Sequence, residues 1–459
     1  MASKITFHGG AGTVTGADFL LDTGSSKILI DCGVLQREPR YERGEHVCDT
    51  ANAAAFPYDP KDIDVLVVTH AHADHIGRIP KLVRDGFKGA IHSTAATKDL
   101  TALMFDDALN VMHEEAKRHG CQLLYEKEDV ERTLSLWHVH EYHEVFSIGD
   151  VSVELLDAGH ILGSAMIRVK RGEKSIIFTG DLGNSPEPLL HDTEDPTGAE
   201  YLVMESVYGD RLHEGRKERR EHLRASVEGT RARRGVLLIP SFSIERTQVL
   251  LYELNAMIEE RIMHPIPVYL DAPLAIRVTD VFRKHSNLLN PAAREHFEHG
   301  ADPFSFKHLT LTRHTGESQA IHKAPNPKII IAGAGMSGGG RIREHEKYYL
   351  GDKHATVLFV GYQAPGSLGR HIQDGAKKVE IDRGHIRIRA RIETLSGYSG
   401  HADRDQLLNF VENAGEGLRR VFVTMGEPKA SLFLAQRIRD FLGVDTVVPE
   451  AGEFFDIEW

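Results

Sequence analysis

The nine residues THAHADHIG, positions 69–77, constrain this chain more than any other feature. They follow the apolar run DVLVVT (64–69), which reads as a buried strand. His70, His72, Asp74 and His75 therefore leave a strand end together. Side chains two apart in an extended segment share a side, so His70 and His72 point together, and Asp74 and His75 turn toward a second position nearby. Imidazole and carboxylate are zinc ligands, and four such groups packed together need a cation among them. One histidine in a polar loop would be an ordinary solvated side chain. His-x-His-x-Asp-His behind an apolar strand is not.

Length and charge bound the rest. At 459 residues the chain exceeds one typical core, so two domains are expected. Its 41% hydrophobic and 27% charged residues fit a globular protein. A net charge of −12 argues against coating nucleic acid by bulk electrostatics but leaves room for local positive charge from metal ions and a few arginines. No apolar run reaches the length of a membrane span, and MASKITFHGG lacks the features of a signal peptide, so a cytoplasmic location with no membrane partner is expected. Cys32, Cys48 and Cys121 are far apart with no C-x-x-C, which reads as three reduced, mostly buried thiols.

The first 200 residues read as short strands (19–21, 27–31, 64–69, 151–156, 165–170, 175–179) with a polar helical stretch at 94–135. From about 208 strands and helices alternate: RKERREHLRASVEGTRARR, GVLLIPSF, SIERTQVLLYELNAMIEERI, IPVYLD, PLAIRVTDVFRKH, KIIIAGA and ATVLFVGY. That alternation implies a parallel sheet covered by helices. Strands return after 380 and the chain ends in a helix around ASLFLAQRIRDFL. The order suggests an α/β protein in which one domain (1–207 and 368–459) is interrupted by another (208–367).

THAHADHIG resembles the signature of the metallo-β-lactamase superfamily. The resemblance implies an αββα sandwich and further ligands at strand ends. Matching residues occur in order: Asp31 in KILIDCG, His160 in DAGHILGSA and Asp181 in SIIFTGDLG. It implies two zinc ions per chain, one held by His70, His72 and His160, the other by Asp74 and His75, with Asp181 bridging and Asp31 orienting a ligand or the bridging water. Two zincs about 3.5–4 Å apart can clamp a hydroxide and a phosphate oxygen, and zinc lowers the pKa of its water to about 7.

The interrupting segment resembles the β-CASP domain of nucleic-acid-processing members of that superfamily. MESVYGDR carries Glu205 at an acidic motif, PSFSIERTQVLL carries Arg246, GYQAPGSLGRHIQDG carries His371, and SGYSGHADRDQL carries His401. The resemblance implies that His401 completes the second zinc site and marks RNA-cleaving members. It also implies that His371 protonates the leaving 3′ oxygen with Glu205 tuning it. Asp31, Asp74, Glu205 and His371 are thus the candidate catalytic residues. The Gly-rich AGAGMSGGGRIR (332–343) lacks the Lys-Ser/Thr of a Walker A loop, but its backbone at Gly335, Gly338 and Gly339, with Arg341, could cradle RNA phosphate, and Arg246 is a further candidate RNA contact. Val207, Ala272, Gly333, Ala334 and Met425 depart from common family residues without touching an expected ligand.

LWHVHEYHEV, with His138, His140 and His143, reads as an exposed stretch for which the resemblance implies no metal; adventitious metal binding is the alternative. The function expected is metal-dependent hydrolysis of single-stranded RNA, with attack by metal-bound hydroxide giving 5′-phosphate and 3′-hydroxyl ends. A thioesterase- or lactonase-type hydrolase and a catalytically silent scaffold are the alternatives. Endo- or exonucleolytic action, and monomer or homodimer, stay open.

Overall fold

The computed structural model describes residues 3–36, 40–42, 45–48, 50–364, 366–382 and 384–458. They form two compact units. One comprises Met1–Ser185, His191–Leu212 and His401–Trp459; the other comprises Pro186–Leu190 and His213–Gly400.

The first unit contains two seven-stranded sheets. One runs in the order Phe454–Ile457, Ser3–Gly9, Asp18–Asp22, Lys27–Ile30, Val65–Val67, Ala90–Thr94, Trp137–His140. The other runs Asp445–Val447, Arg420–Val423, Tyr201–Met204, Lys174–Phe178, Ala165–Arg171, Val151–Asp157, Val145–Ile148. Alternate residues explain the layering. Phe7, Phe19, Ile30 and Val67 of the first sheet meet Val153, Ile167, Ile176 and Phe178 of the second in one core cluster. Their neighbours in sequence, Leu20, Leu29, Leu66 and Val68, face outward onto Ile79, Leu82, Phe105 and Leu109 of helices. On the far side Met166, Ile177, Leu202 and Val421 pack against Leu407, Phe410, Leu434 and Ile438. Central strands are buried on both faces, which is why they read as continuous apolar runs. The result is the expected αββα sandwich.

The second unit is built on a six-stranded sheet in the order Leu309–Leu311, Val268–Asp271, Lys328–Ala332, Val236–Pro240, Thr356–Phe359, Arg391–Thr394, parallel throughout. Leu238, Ile330, Val357 and Phe359 bury one face against Ile342, Tyr349, Leu350 and Ile372. Among the described residues no helix is long and apolar enough to cross a membrane.

Two expectations need correction. The return to the first unit, expected at 368, lies at 401. IRIRARIETL splits: Gly384–Arg387 pairs with Lys378–Ile381, and Arg391–Thr394 pairs in parallel with Thr356–Phe359 at the edge of the second unit's sheet. An edge strand with little buried surface carries no pattern that says which sheet it joins. The second correction concerns cysteine. Cys32 is buried and free, but Cys48 and Cys121 are disulfide-bonded, with Cα atoms 5.5 Å apart across 73 residues of sequence. Pairing follows approach in space, which wide spacing conceals. The bond ties the loop after Lys27–Ile30 to the end of helix Ala95–His119, where Gly120 caps the helix at φ 71°. Reducing it should cost about 2–4 kcal/mol of stability. Thermal melts with and without dithiothreitol should differ for the native chain and coincide for a Cys48→Ser/Cys121→Ser double variant.

Candidate metal centre

The first unit gathers its chemistry at strand ends. Asp31 follows Lys27–Ile30 and His70 follows Val65–Val67 within three residues. His160, Asp181 and Glu205 follow Val151–Asp157, Lys174–Phe178 and Tyr201–Met204. His401 is brought in by a β-bridge to Gly183. His72 sits at the start of the short helix Ala73–Ile76, which carries Asp74 and His75. Close backbone approach makes the bend possible: a Cβ on Gly33 would lie 1.5 Å from the Asp74 carbonyl oxygen.

Four side chains converge tightly. His70 Nε2 is 3.1 Å from His72 Nδ1, which is 3.2 Å from His160 Nε2. Asp181 Oδ2 lies 3.4 Å from His70 Nε2 and 3.5 Å from His160 Nε2. The other oxygen, Oδ1, faces His75 Nε2 at 3.3 Å. His401 Nδ1 is 3.9 Å from Asp181 Oδ2 and 3.1 Å from Glu205 Oε1. His70, His72, His160 and Asp181 form one group able to hold a metal ion, and Asp181, Glu205 and His401 a second. Asp74 is electrostatically close to His75 and Asp181 but belongs to neither group.

The donor set fits a divalent cation. His75 Nε2 and Asp181 Oδ1 are buried with no hydrogen-bond partner, a costly arrangement unless a cation takes their lone pairs. Burial first, then neighbouring imidazoles, pushes the His70, His72 and His160 pKa values below the ordinary histidine range, which keeps those rings neutral and able to ligate. At His401 burial also disfavours charge, but the Glu205 carboxylate outweighs it and raises the pKa to about 9.

Asp31 organises this end of the sheet. It adopts a left-handed conformation at φ 59°. Its Oδ1 accepts from Thr69 N at 2.8 Å, and its Oδ2 accepts from Thr69 Oγ1 and faces His75 Nδ1, both at 2.7 Å. Holding Nδ1 of His75 leaves Nε2 free to face Asp181. Thr69 was not singled out by sequence. Its hydroxyl also touches His70 Nδ1 at 3.0 Å, and a lone threonine before a histidine gives no signal of that.

Glu205 is buried, and besides His401 it accepts from Leu182 N at 2.7 Å. His371 lies in the second unit, exposed on helix Leu368–Gln373. In that unit the Gly-rich loop is closed by Ala334 N donating to Gly339 O at 3.2 Å and Ile342 N to Gly333 O at 2.8 Å. Gly338 is exposed, Gly339 half-buried and Gly335 buried. The Arg341 guanidinium turns inward to Asp271 and to the carbonyls of Thr312 and Arg313. Arg246 is buried.

Comparison with known proteins gives three family matches: the metallo-β-lactamase superfamily over residues 12–228, the Beta-Casp domain over 247–372, and the Zn-dependent metallo-hydrolase RNA specificity domain over 385–449. The chain is 35% identical to Ribonuclease TTHA0252 of Thermus thermophilus over 94% of this chain and 95% of that protein. It is 32% identical to the transcription termination factor FttA of Methanosarcina mazei, covering 96% of this chain and 70% of that one. A crystal structure of a protein of unknown function from Enterococcus faecalis shares the fold at TM-score 0.56 and 15% identity, with all of both chains covered.

The Asp31 contacts generate a prediction. Asn tolerates a left-handed backbone but lacks the charge that holds His75. Asp31→Asn should therefore fold normally, by far-UV circular dichroism, and bind metal about 10–100-fold more weakly in a chelator competition.

Proposed function

This chain belongs to the metallo-β-lactamase superfamily, in the branch that carries a β-CASP domain, and on that premise we propose that it is a zinc-dependent ribonuclease cutting single-stranded RNA internally, with 5′-phosphate and 3′-hydroxyl products. The observation that carries the reading is the placement of Asp181, whose two oxygens face two different sets of imidazoles. Support for RNA as substrate comes from the ribonuclease relative, which aligns over nearly all of both chains, and from the RNA specificity domain matched over 385–449; the family resemblance further implies that His401 marks RNA-cleaving members.

In this reading His70, His72 and His160 would hold one ion and Asp74, His75 and His401 the other, with Asp181 available to both. A bound zinc pair supplies Lewis acidity toward a phosphate oxygen and a water ionised near neutral pH. The protein's own groups do the rest. Asp31 sets the orientation of His75, and Glu205 sets that of His401. Burial of His70, His75, His160 and Asp181 keeps bulk water from those groups, so charges there interact more strongly than in solvent. His371 donates a proton to the leaving 3′ oxygen, since histidine is the side chain suited to proton transfer near neutral pH. Phosphate of the bound strand meets backbone N–H groups of the 335–339 loop. With Arg341 engaged by Asp271, that contact rests on the main chain.

Three measurements test this. A circular RNA should be opened as readily as a linear one of the same sequence, with matched DNA and a thioester left intact; failure to open the circle rules out internal cutting. His371→Ala should keep the wild-type metal content while RNA cleavage slows by about 10²–10⁴-fold. His72→Ala should lose both metal and activity.

A further inference from the structure

A second histidine cluster lies in the first unit, apart from the residues assigned above. The edge strand Trp137–His140 pairs in parallel with Ala90–Thr94, and His138 stands directly opposite His92. Residues two apart on a strand share a face, so His138 and His140 project together, on the side that His92 occupies. His92 Nδ1 and His140 Nε2 face each other at 2.9 Å. The second nitrogen of His140, Nδ1, lies 3.1 Å from Glu144 Oε1. The His138 ring stacks on His92 with centroids 5.5 Å apart. Phe146 floors the cluster, with centroids 3.9 Å from His140 and 4.9 Å from His92.

Two of these features suit a metal ligand, the facing His92 and His140 nitrogens and the Glu144 carboxylate behind His140. A carboxylate that accepts from Nδ1–H of a histidine fixes the tautomer and leaves a lone pair on Nε2, the usual support behind a ligating imidazole. Here that lone pair points at His92. Burial, then the neighbouring imidazoles of His140 and His138, pushes the His92 pKa down to about 4, so this ring is neutral in ordinary solution. Zinc–nitrogen bonds of about 2.0–2.1 Å in a tetrahedral site put neighbouring nitrogens roughly 3.3 Å apart. The facing nitrogens at 2.9 Å need open by only a few tenths of an ångström, and those of the catalytic cluster stand at a similar 3.1 and 3.2 Å. His138 is exposed and stacks on His92, so it reaches an ion held by the other two as a third ligand only by rotating its ring.

We propose that His92, His138 and His140 form a separate binding site for a borderline divalent ion of the zinc, cobalt or nickel kind, with Glu144 orienting His140. An all-imidazole set selects such ions over magnesium or calcium. The site pins an edge strand to its neighbour and to the following turn, and it takes no part in phosphodiester hydrolysis.

The test is a count of metals. Zinc-loaded protein is dialysed against Co²⁺, total zinc plus cobalt per chain is measured, and visible absorption is recorded. Counting both metals makes exchange at the catalytic centre irrelevant. Wild type should hold one equivalent more than His140→Phe, and that extra equivalent should carry the d–d absorption of nitrogen-ligated cobalt. Glu144→Gln, a change at an exposed carboxylate, should weaken the extra site about 10–100-fold. RNA cleavage should be unchanged in both variants. Equal metal totals in wild type and His140→Phe overturn the proposal, leaving a simple histidine–histidine hydrogen bond. Should His140→Phe fail to fold, unchanged cobalt affinity in the soluble variants Glu144→Gln and His138→Ala overturns it equally.

Discussion

The first unit is organised around one electrostatic constraint: the Asp181 carboxylate is almost fully buried among imidazoles, with His70 and His160 at one oxygen and His75 at the other. Such a cluster is costly in an apolar interior unless positive charge sits within it. His75 Nε2 and Asp181 Oδ1, buried without a hydrogen-bond partner, are donors that a divalent cation would satisfy. Everything nearby keeps those donors aimed inward. Ligands come from the ends of strands whose bodies are locked on both faces by core side chains, so the donors inherit the rigidity of the sandwich.

Support for the donors is itself layered. Asp31 fixes His75, Thr69 fixes Asp31 and touches His70, and Glu205 fixes His401. The second unit has a counterpart in Asp271. Its buried carboxylate accepts from Thr312, Ser318 and Arg341 and faces His345 Nε2 at 2.8 Å, and these partners hold its pKa well below the usual carboxylate range although burial acts the other way. Through Arg341 this hub anchors the end of the Gly-rich loop. Arg341, read from the sequence as a phosphate contact, hydrogen-bonds Asp271 and the carbonyls of Thr312 and Arg313.

The parts of the fold that were legible in sequence share a physical cause. Central strands such as Val65–Val67 and Ser175–Phe178 within Lys174–Phe178 are buried on both faces and leave an apolar run. Helices such as Arg216–Ala232 and Pro428–Leu442 bury one face only and leave a periodic one. Arg391–Thr394 reads as a strand, but the sheet it joins was not legible, because an edge strand with a burial pattern this open has almost no apolar face to record. Cys48 and Cys121 were not legible either, since nothing local marks which thiols will meet.

Sequence alone determined which residue types are concentrated at which strand ends, because local spacing decides whether His70 and His72 leave an extended segment on one side. Only the tertiary structure decided which of those groups come together. Asp181 reaches both His70 and His75, Glu205 turns to His401, and His92 faces His140 because separate strands are brought side by side. A contact between residues scores of positions apart depends on that packing, and no window of sequence carries it.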